Sequence, residues 1–328
     1  MTNSSTASPN VLWIGVDQMR ADTLLNDSVQ TPNLDRLRAQ STCFTHAYSP
    51  SSLCTPARGS MYTGRFAFSH GMGTNCDMYH ALARELPNPE QLLHTKLQSQ
   101  GYRTGFTGKW HVGTELGPGD YGFEGMSIPG YGDLRDDPGF QRYLSDHDLH
   151  YGPIRNPIYA NRDEQTLMAG EWNGPLESTP THYLANYSLD LLEDFARSRQ
   201  ASGTPFFLTC QFWAPHGPYL PAPEYVGTHD RAAIPPWPNW DDDYAGKPRR
   251  YPRLVNSFFA QLPATWPEWQ QVIGLVYDYT TQVDAEIGRL LDRLDALRLT
   301  DETLIVFASD HGDMIGSHGL HDKGYMYE

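Results

Sequence analysis

Four short segments, each ending in ionisable side chains, constrain this chain more than any other feature. NVLWIGVDQ ends at Asp17, YRTGFTGKWH delivers Lys109 and His111, PFFLTCQFWAPH ends at His216, and ETLIVFASDHGD ends at Asp310 and His311. Short, nearly continuous apolar runs of this kind are the pattern of parallel strands buried on both faces. Helical segments separate them. TPNLDRLRAQ has Thr31 as cap and Pro32 at the first helical position. A second helix start falls at Asn88, with Pro89 after it, Gln91 completing a capping box and Gly101 as the stop. HYLANYSLDLLEDFARSR carries Leu184, Leu191, Leu192 and Phe195 at helical spacing. A long helix around residues 266–299 gathers Ile273, Val276, Val283, Ile287, Leu290, Leu294 and Leu297 on one face. The alternation predicts an α/β fold, a mostly parallel central sheet flanked by helices on both faces. Ligands in such sheets bind just beyond the carboxyl ends of the strands, where all of these polar residues fall.

The 328 residues are expected to form one catalytic domain spanning 1–328, with loop insertions near 114–180 and 217–264, both rich in Gly, Pro, Trp and Tyr. A net charge of −15 argues against a nucleic-acid-binding surface, although a local basic cluster can still dominate the field within a cleft. The N-terminus, MTNSSTASPN, has neither a basic nor an apolar targeting region, and no run of 18 apolar residues occurs. The expectation is a cytoplasmic chain with no membrane partner and reduced thiols. Its four cysteines, Cys43, Cys54, Cys76 and Cys210, have no metal-site or disulfide-framework spacing.

Taken singly, the site candidates have duller accounts. Asp17 could be a turn former, His216 a structural hydrogen-bonder, Cys54 a small buried hydrophobe, and DHGD a solvated loop. Together they read as chemistry, because chance would have to set them all at the same end of successive strands. Asp17 and Asp310 are hard oxygen ligands for Ca²⁺, Mg²⁺ or Mn²⁺, and Gln18 can add a carbonyl oxygen. His311 moves the preference toward Mn²⁺ or another transition metal. Arg58, Lys109 and Lys323 are three cations suited to one tetrahedral oxyanion. His111 and His216 can move protons near neutral pH. Cys54 precedes Thr55-Pro56 at a helix start, where the dipole favours negative charge. A plain thiolate beside a hard metal is nevertheless a mismatch.

Cys54-Thr55-Pro56-Ala57-Arg58, followed by Gly64-Arg65, resembles the C-x-P-x-R signature of the sulfatases of the alkaline phosphatase superfamily. GVDQMRADTL resembles that family's first metal strand, TPNLDRL its first helix, TGKWHVG its Lys/His segment and APHGPY its second-histidine loop. SDHGDMIGSHGLHDKGYMYE resembles its second metal strand and following lysine. The resemblance implies that Cys54 is the precursor of formylglycine, made by a formylglycine-generating enzyme and bound to one divalent metal, Ca²⁺ first and Mn²⁺ or Mg²⁺ as alternatives. It implies metal ligands Asp17, Gln18, residue 54, Asp310 and His311, and a catalytic set of Cys54, Arg58, Lys109, His111, His216 and Lys323. Substrate contacts are implied for Lys109, His216, Lys323 and, by analogy with the phosphonate monoester hydrolase branch, Asn75. The expected reaction is hydrolysis of a small-molecule or saccharide sulfate monoester to alcohol and sulfate.

Two departures qualify that resemblance. Many members have Asp where this chain has Gln18, and Asn where it has His311. The combination resembles the phosphonate monoester hydrolases and leaves a phosphonate monoester or phosphodiester hydrolase as the alternative. Members also usually continue past the equivalent of Glu328 into a C-terminal subdomain, which the resemblance leads one to expect is absent from these 328 residues. The expectation is therefore a piece of a longer chain, or one completed by a second polypeptide, a homo-oligomer included. A truncated, non-catalytic anion-binding relative is the third reading.

Overall fold

The computed structural model describes residues 8–87, 92–130, 134–160, 166–247 and 262–325. In chain order the elements are β1 (Asn10–Val16), α1 (Ala21–Leu25), α2 (Pro32–Ala39), α3 (Cys54–Thr63), α4 (Ala67–His70), α5 (Leu93–Gln98), β2 (Arg103–Lys109), β3 (Glu124–Ile128), α6 (Pro138–Asp146), β4 (Arg155–Tyr159), β5 (Leu167–Glu171), α7 (Pro180–Ser202), β6 (Phe206–Phe212), α8 (Trp266–Ala296) and β7 (Thr303–Ser309). Five strands form one sheet in the order β3-β2-β6-β1-β7, and every pairing in it is parallel. β4 and β5 form a separate antiparallel pair.

The period-2 alternation of side chains divides the core into two layers. Leu12, Ile14 and Val16 of β1, with Phe206, Leu208, Cys210 and Phe212 of β6, face the layer built from α7 and α8. Trp13, Phe106 and Phe207 point to the opposite face, against Tyr62 of α3 and Leu92 beside α5. Helices thus cover both faces, as the alternation of segments predicts. At Gly108 the backbone adopts φ +99° and a Cβ would stand 1.9 Å from Gln211 O, so only glycine allows β2 to run this close to β6.

Three local expectations change. Thr31 stands at the N-cap of α2, but its side chain makes no cap bond. The orphan amides of Asn33 and Leu34 donate instead to Asp284 of α8, at 3.0 and 2.7 Å. The capping box expected at Asn88 and Gln91 lies outside the described residues, and the helix that follows is only Leu93–Gln98. Residues 114–180 also hold more than loops: β3 is the edge of the main sheet, α6 is capped by the Asp137 carboxylate, which accepts from Phe140 N at 2.9 Å, and β4 and β5 pair. β3 reads EGMSI and is largely exposed, so it carries no apolar run to announce it. Among the described residues no helix is long and apolar enough to cross a membrane.

Candidate active site

The carboxyl ends of β1, β2, β6 and β7 bring their terminal polar residues together, and the N-terminus of α3 adds Cys54. Asp17, Arg58, Lys109, His111, Asp310 and His311 are all buried. The backbone turns sharply as it leaves the strands: Gln18 has φ +65° and His111 φ +51°, left-handed conformations that non-glycine residues adopt at a cost on the order of 1–3 kcal/mol. Such strain re-aims side chains that would otherwise follow the pleat.

Cys54 is the first residue of α3, one residue earlier than Thr55-Pro56 suggested. Its Sγ lies 3.1 Å from His311 Nε2, 3.6 Å from Lys109 Nζ and 3.9 Å from Asp17 Oδ1. Burial raises its pKa, but Lys109 and Lys323 outweigh burial and hold the thiol well below its ordinary value.

Arg58, one turn further along α3, is fully buried. Its Nε donates to Asp310 Oδ2 (2.9 Å), its Nη1 to Lys109 O (2.7 Å), and its Nη2 lies 3.5 Å from Asp17 Oδ2. It therefore binds the strand-end carboxylates. Lys109 also ion-pairs with Asp17, and its ammonium sits 4.1 Å from the centre of the Trp213 ring.

Asp17, Cys54, Asp310 and His311 present donor atoms all within 4.8 Å of one another. His311 Nε2 is 3.6 Å from Asp17 Oδ1 and 3.8 Å from Asp310 Oδ1, spacings that suit donors sharing one divalent cation. His311 Nδ1 donates to Gly312 O at 2.9 Å, which leaves Nε2 as the ligating nitrogen. The set fits a metal. Without one, burial lowers the His311 pKa, but Asp310 and Cys54 more than compensate and raise it to about 9. Burial and Asp17 push the Asp310 carboxyl up.

Gln18 stands beside these donors. Its Oε1 accepts from Lys323 Nζ (2.5 Å), while its Nε2 donates to Asp313 Oδ2 (2.6 Å) and Asp322 Oδ1 (3.0 Å). Lys323 Nζ also donates to His216 Nε2 at 2.7 Å. His216 Nδ1 donates to Gly217 O at 2.7 Å, so its neutral ring keeps the lone pair on Nε2, facing the ammonium. The Lys323 side chain is only 8% exposed. Asn75 Oδ1 accepts from Thr55 N at 3.1 Å, capping α3 from outside the helix.

Sequence reasoning missed four supporting residues. His111 Nε2 donates to Asp77 Oδ1 (3.0 Å); Trp213 lies against Lys109 and His216; Tyr219 OH donates to Asp313, which in turn orients Gln18. Trp213 was discoverable, since it directly follows β6. Asp313 lies within the DHGD run itself. Asp77 offers no signal beyond its place two residues after Asn75.

The Sulfatase family model matches residues 9–328. The ulvan-active sulfatase of Formosa agariphila is 27% identical over 95% of this chain and 52% of its own length. The N-acetylglucosamine-6-O-sulfatase of Bacteroides thetaiotaomicron is 24% identical over 98% of this chain and 61% of its own. The chain thus spans between half and two-thirds of the length of these relatives. The crystal structure of the phosphonate monoester hydrolase of Agrobacterium radiobacter shares the fold, with a TM-score of 0.72 at 22% identity over 98% of this chain and 66% of that one. With its motif residues gathered at one end of a parallel sheet, and with the family model matching from β1 to the last residue, this chain belongs to the sulfatase family.

Proposed function

We propose that the protein hydrolyses a sulfate monoester to an alcohol and sulfate, with Cys54 matured to formylglycine. The observation that carries this reading is the setting of Cys54 Sγ: at a helix N-terminus, among three metal-type donors, with Lys109 at 3.6 Å. Asp17, Asp310, His311 and residue 54 would hold a divalent cation, Ca²⁺ in the first instance, and when bound it makes a hydroxyl on residue 54 more acidic. Lys109 and Lys323 bind the sulfate oxygens and offset charge that develops as the ester bond breaks. Arg58 holds the two strand-end aspartates in place and favours their ionised forms. The Lys323–His216 pair, in contact at 2.7 Å, stands beside residue 54 as the proton source for the departing alkoxide, which takes a proton directly from one of the two. His111 takes the proton that releases sulfate from residue 54.

A saccharide sulfate is the proposed substrate class, supported by the name of the N-acetylglucosamine-6-O-sulfatase relative and by tryptophan and tyrosine near the strand ends. Gln18 and His311 favour one second reading, a phosphonate monoester or phosphodiester hydrolase built on the same nucleophile. Mass spectrometry of the Cys54 peptide, combined with rates on matched sulfate and phosphonate esters, tests both. Formylglycine with faster sulfate release supports the first reading. An unmodified cysteine in active enzyme refutes both, and faster phosphonate cleavage selects the second.

A further inference from the structure

We propose that Asp77 is the positioning residue for His111, fixing its ring so that the Nδ1 lone pair faces residue 54. The inference rests on the hydrolase reading above and adds a residue to it. His111 Nε2 lies 3.0 Å from Asp77 Oδ1. An ionised carboxylate only accepts, so Nε2 carries the hydrogen and the neutral ring keeps its lone pair on Nδ1. That nitrogen is buried, and His111 is among the side chains close enough to Cys54 to lower its pKa.

The rest of the neighbourhood immobilises the ring in that orientation. Thr55 Oγ1 donates to His111 O at 2.6 Å, and Cys76 N donates to Thr55 Oγ1 at 3.2 Å. With the Asn75 cap on Thr55 N, residues 75–77 thus tie the nucleophile's helix and the His111 backbone into one unit. On the other side, a Cβ at Gly130 would stand 2.5 Å from His111 Cδ2, so the ring packs directly on backbone there. A carboxylate orienting an imidazole that serves a nucleophile is the general logic of base activation. A proton accepted at Nδ1 gives an imidazolium whose Nε2–H remains on Asp77, and the carboxylate offsets the new charge.

Two readouts on the full chain test this. The first is ¹⁵N NMR of histidine-labelled, metal-free protein, with the His111 signal assigned from its loss in His111→Gln. The wild type should show the Nε2–H tautomer, and Asp77→Ala should lose it. The second is kinetics of the matured enzyme on an aryl sulfate. Asp77→Ala should lower kcat about tenfold or more, with KM changed less than about twofold, and Asp77→Glu should recover part of the loss. An Nδ1–H tautomer in the wild type, or an unchanged tautomer or kcat in Asp77→Ala, overturns the proposal. So does a kcat loss that tracks thermal stability and that Glu does not restore. If the wild type hydrolyses no sulfate ester while the tautomer still depends on Asp77, the pairing stands and the hydrolase reading falls.

Discussion

Replacing Arg58 with methionine, which keeps much of the volume and removes the charge, tests whether this arginine holds the strand-end carboxylates. Arg58 is fully buried between Asp310, 2.9 Å away, and Asp17, 3.5 Å away. Removing one partner of a buried ion pair costs about 3–5 kcal/mol, because the remaining charge is left uncompensated. Lys109 still faces Asp17, so the lower part of that range is expected at pH 7. For 328 residues the unfolding entropy is on the order of 0.7 kcal/mol/K, and the loss corresponds to a melting temperature lower by about 4–6 °C.

The pH dependence identifies the cause. In the wild type, burial and Cys54 push the Asp17 pKa up, but Lys109, His216 and Arg58 prevail and hold it below the usual range. A depressed carboxyl contributes stability that is present above its unfolded pKa, about 3.9, and is lost as pH falls through the folded value. Without Arg58 that contribution shrinks, and Asp310, already raised by burial and Asp17, rises further. Protonation in acid then relieves the variant. Its deficit should be larger at pH 7 than at about pH 4.5. Calorimetry of both proteins in chelator at the two pH values measures this. Equal deficits at both would mean that lost packing, not charge, is responsible, and a deficit below about 1 kcal/mol at pH 7 would refute the ion-pair account.

Cys54→Ala should abolish sulfate ester turnover while leaving the melting temperature nearly unchanged; more than trace activity would exclude residue 54 as nucleophile. Metal removal should lower thermal stability as well as activity, since an ion that binds only the folded state stabilises it. In the metal-free protein His311 titrates near 9, above its unfolded value, so its contribution is fully present below about pH 6.5 and is lost as pH rises through 9. The stabilisation produced by added Ca²⁺ or Mn²⁺ should therefore grow between those limits, and a pH-independent shift in melting temperature would count against His311 as a ligand. Trp213→Leu removes an aromatic face 4.1 Å from the Lys109 ammonium and should weaken transition-state binding by about 0.5–2 kcal/mol, read as kcat/KM.

How much of this was legible in the sequence depended on which interactions carry a local signal. Three of the strands that end in site residues, β1, β2 and β6, are buried, so their apolar runs announced them. β7 carries an apolar run too, but it lies half-exposed at a sheet edge and not buried on both faces as expected, and the parallel order brought Asp17, Lys109, His216 and Asp310 to one end. β3 lacked such a run because its side chains lie largely in solvent at the sheet's edge. Asp284 capping α2 across about 250 positions is a tertiary replacement for the local cap that Thr31 advertised. The C-x-P-x-R pentapeptide located Cys54 and Arg58, but not what Arg58 does. The motif suggests an anion-binding cation, whereas the fold directs its guanidinium to Asp310, Asp17 and a backbone carbonyl. Gln18 and Asn75 were legible as site residues, and their bonds to Lys323 and Thr55 were not. Side-chain direction is decided by neighbours distant in the chain.

The charge count at the centre links maturation to substrate recognition. Asp17 and a Cys54 thiol held well below its ordinary pKa confront Arg58, Lys109, Lys323 and His311, with Asp310 between them. Of the groups that depress the thiol, Lys109 and Lys323 act most strongly. Under the proposed maturation, conversion of Cys54 to an uncharged aldehyde would remove the negative charge these two ammonium groups attract, while Arg58 stays committed to the aspartates. Lys109 would keep its pair with Asp17 and Lys323 its pair with Asp322, 3.0 Å away, but neither would any longer face a thiolate, and a divalent ion would add positive charge beside residue 54. A sulfate ester brings one negative charge to that position. On the proposed function, the unmodified thiol would compete with the substrate for Lys109 and Lys323, and oxidation would both create the nucleophile and free the anion site that serves it.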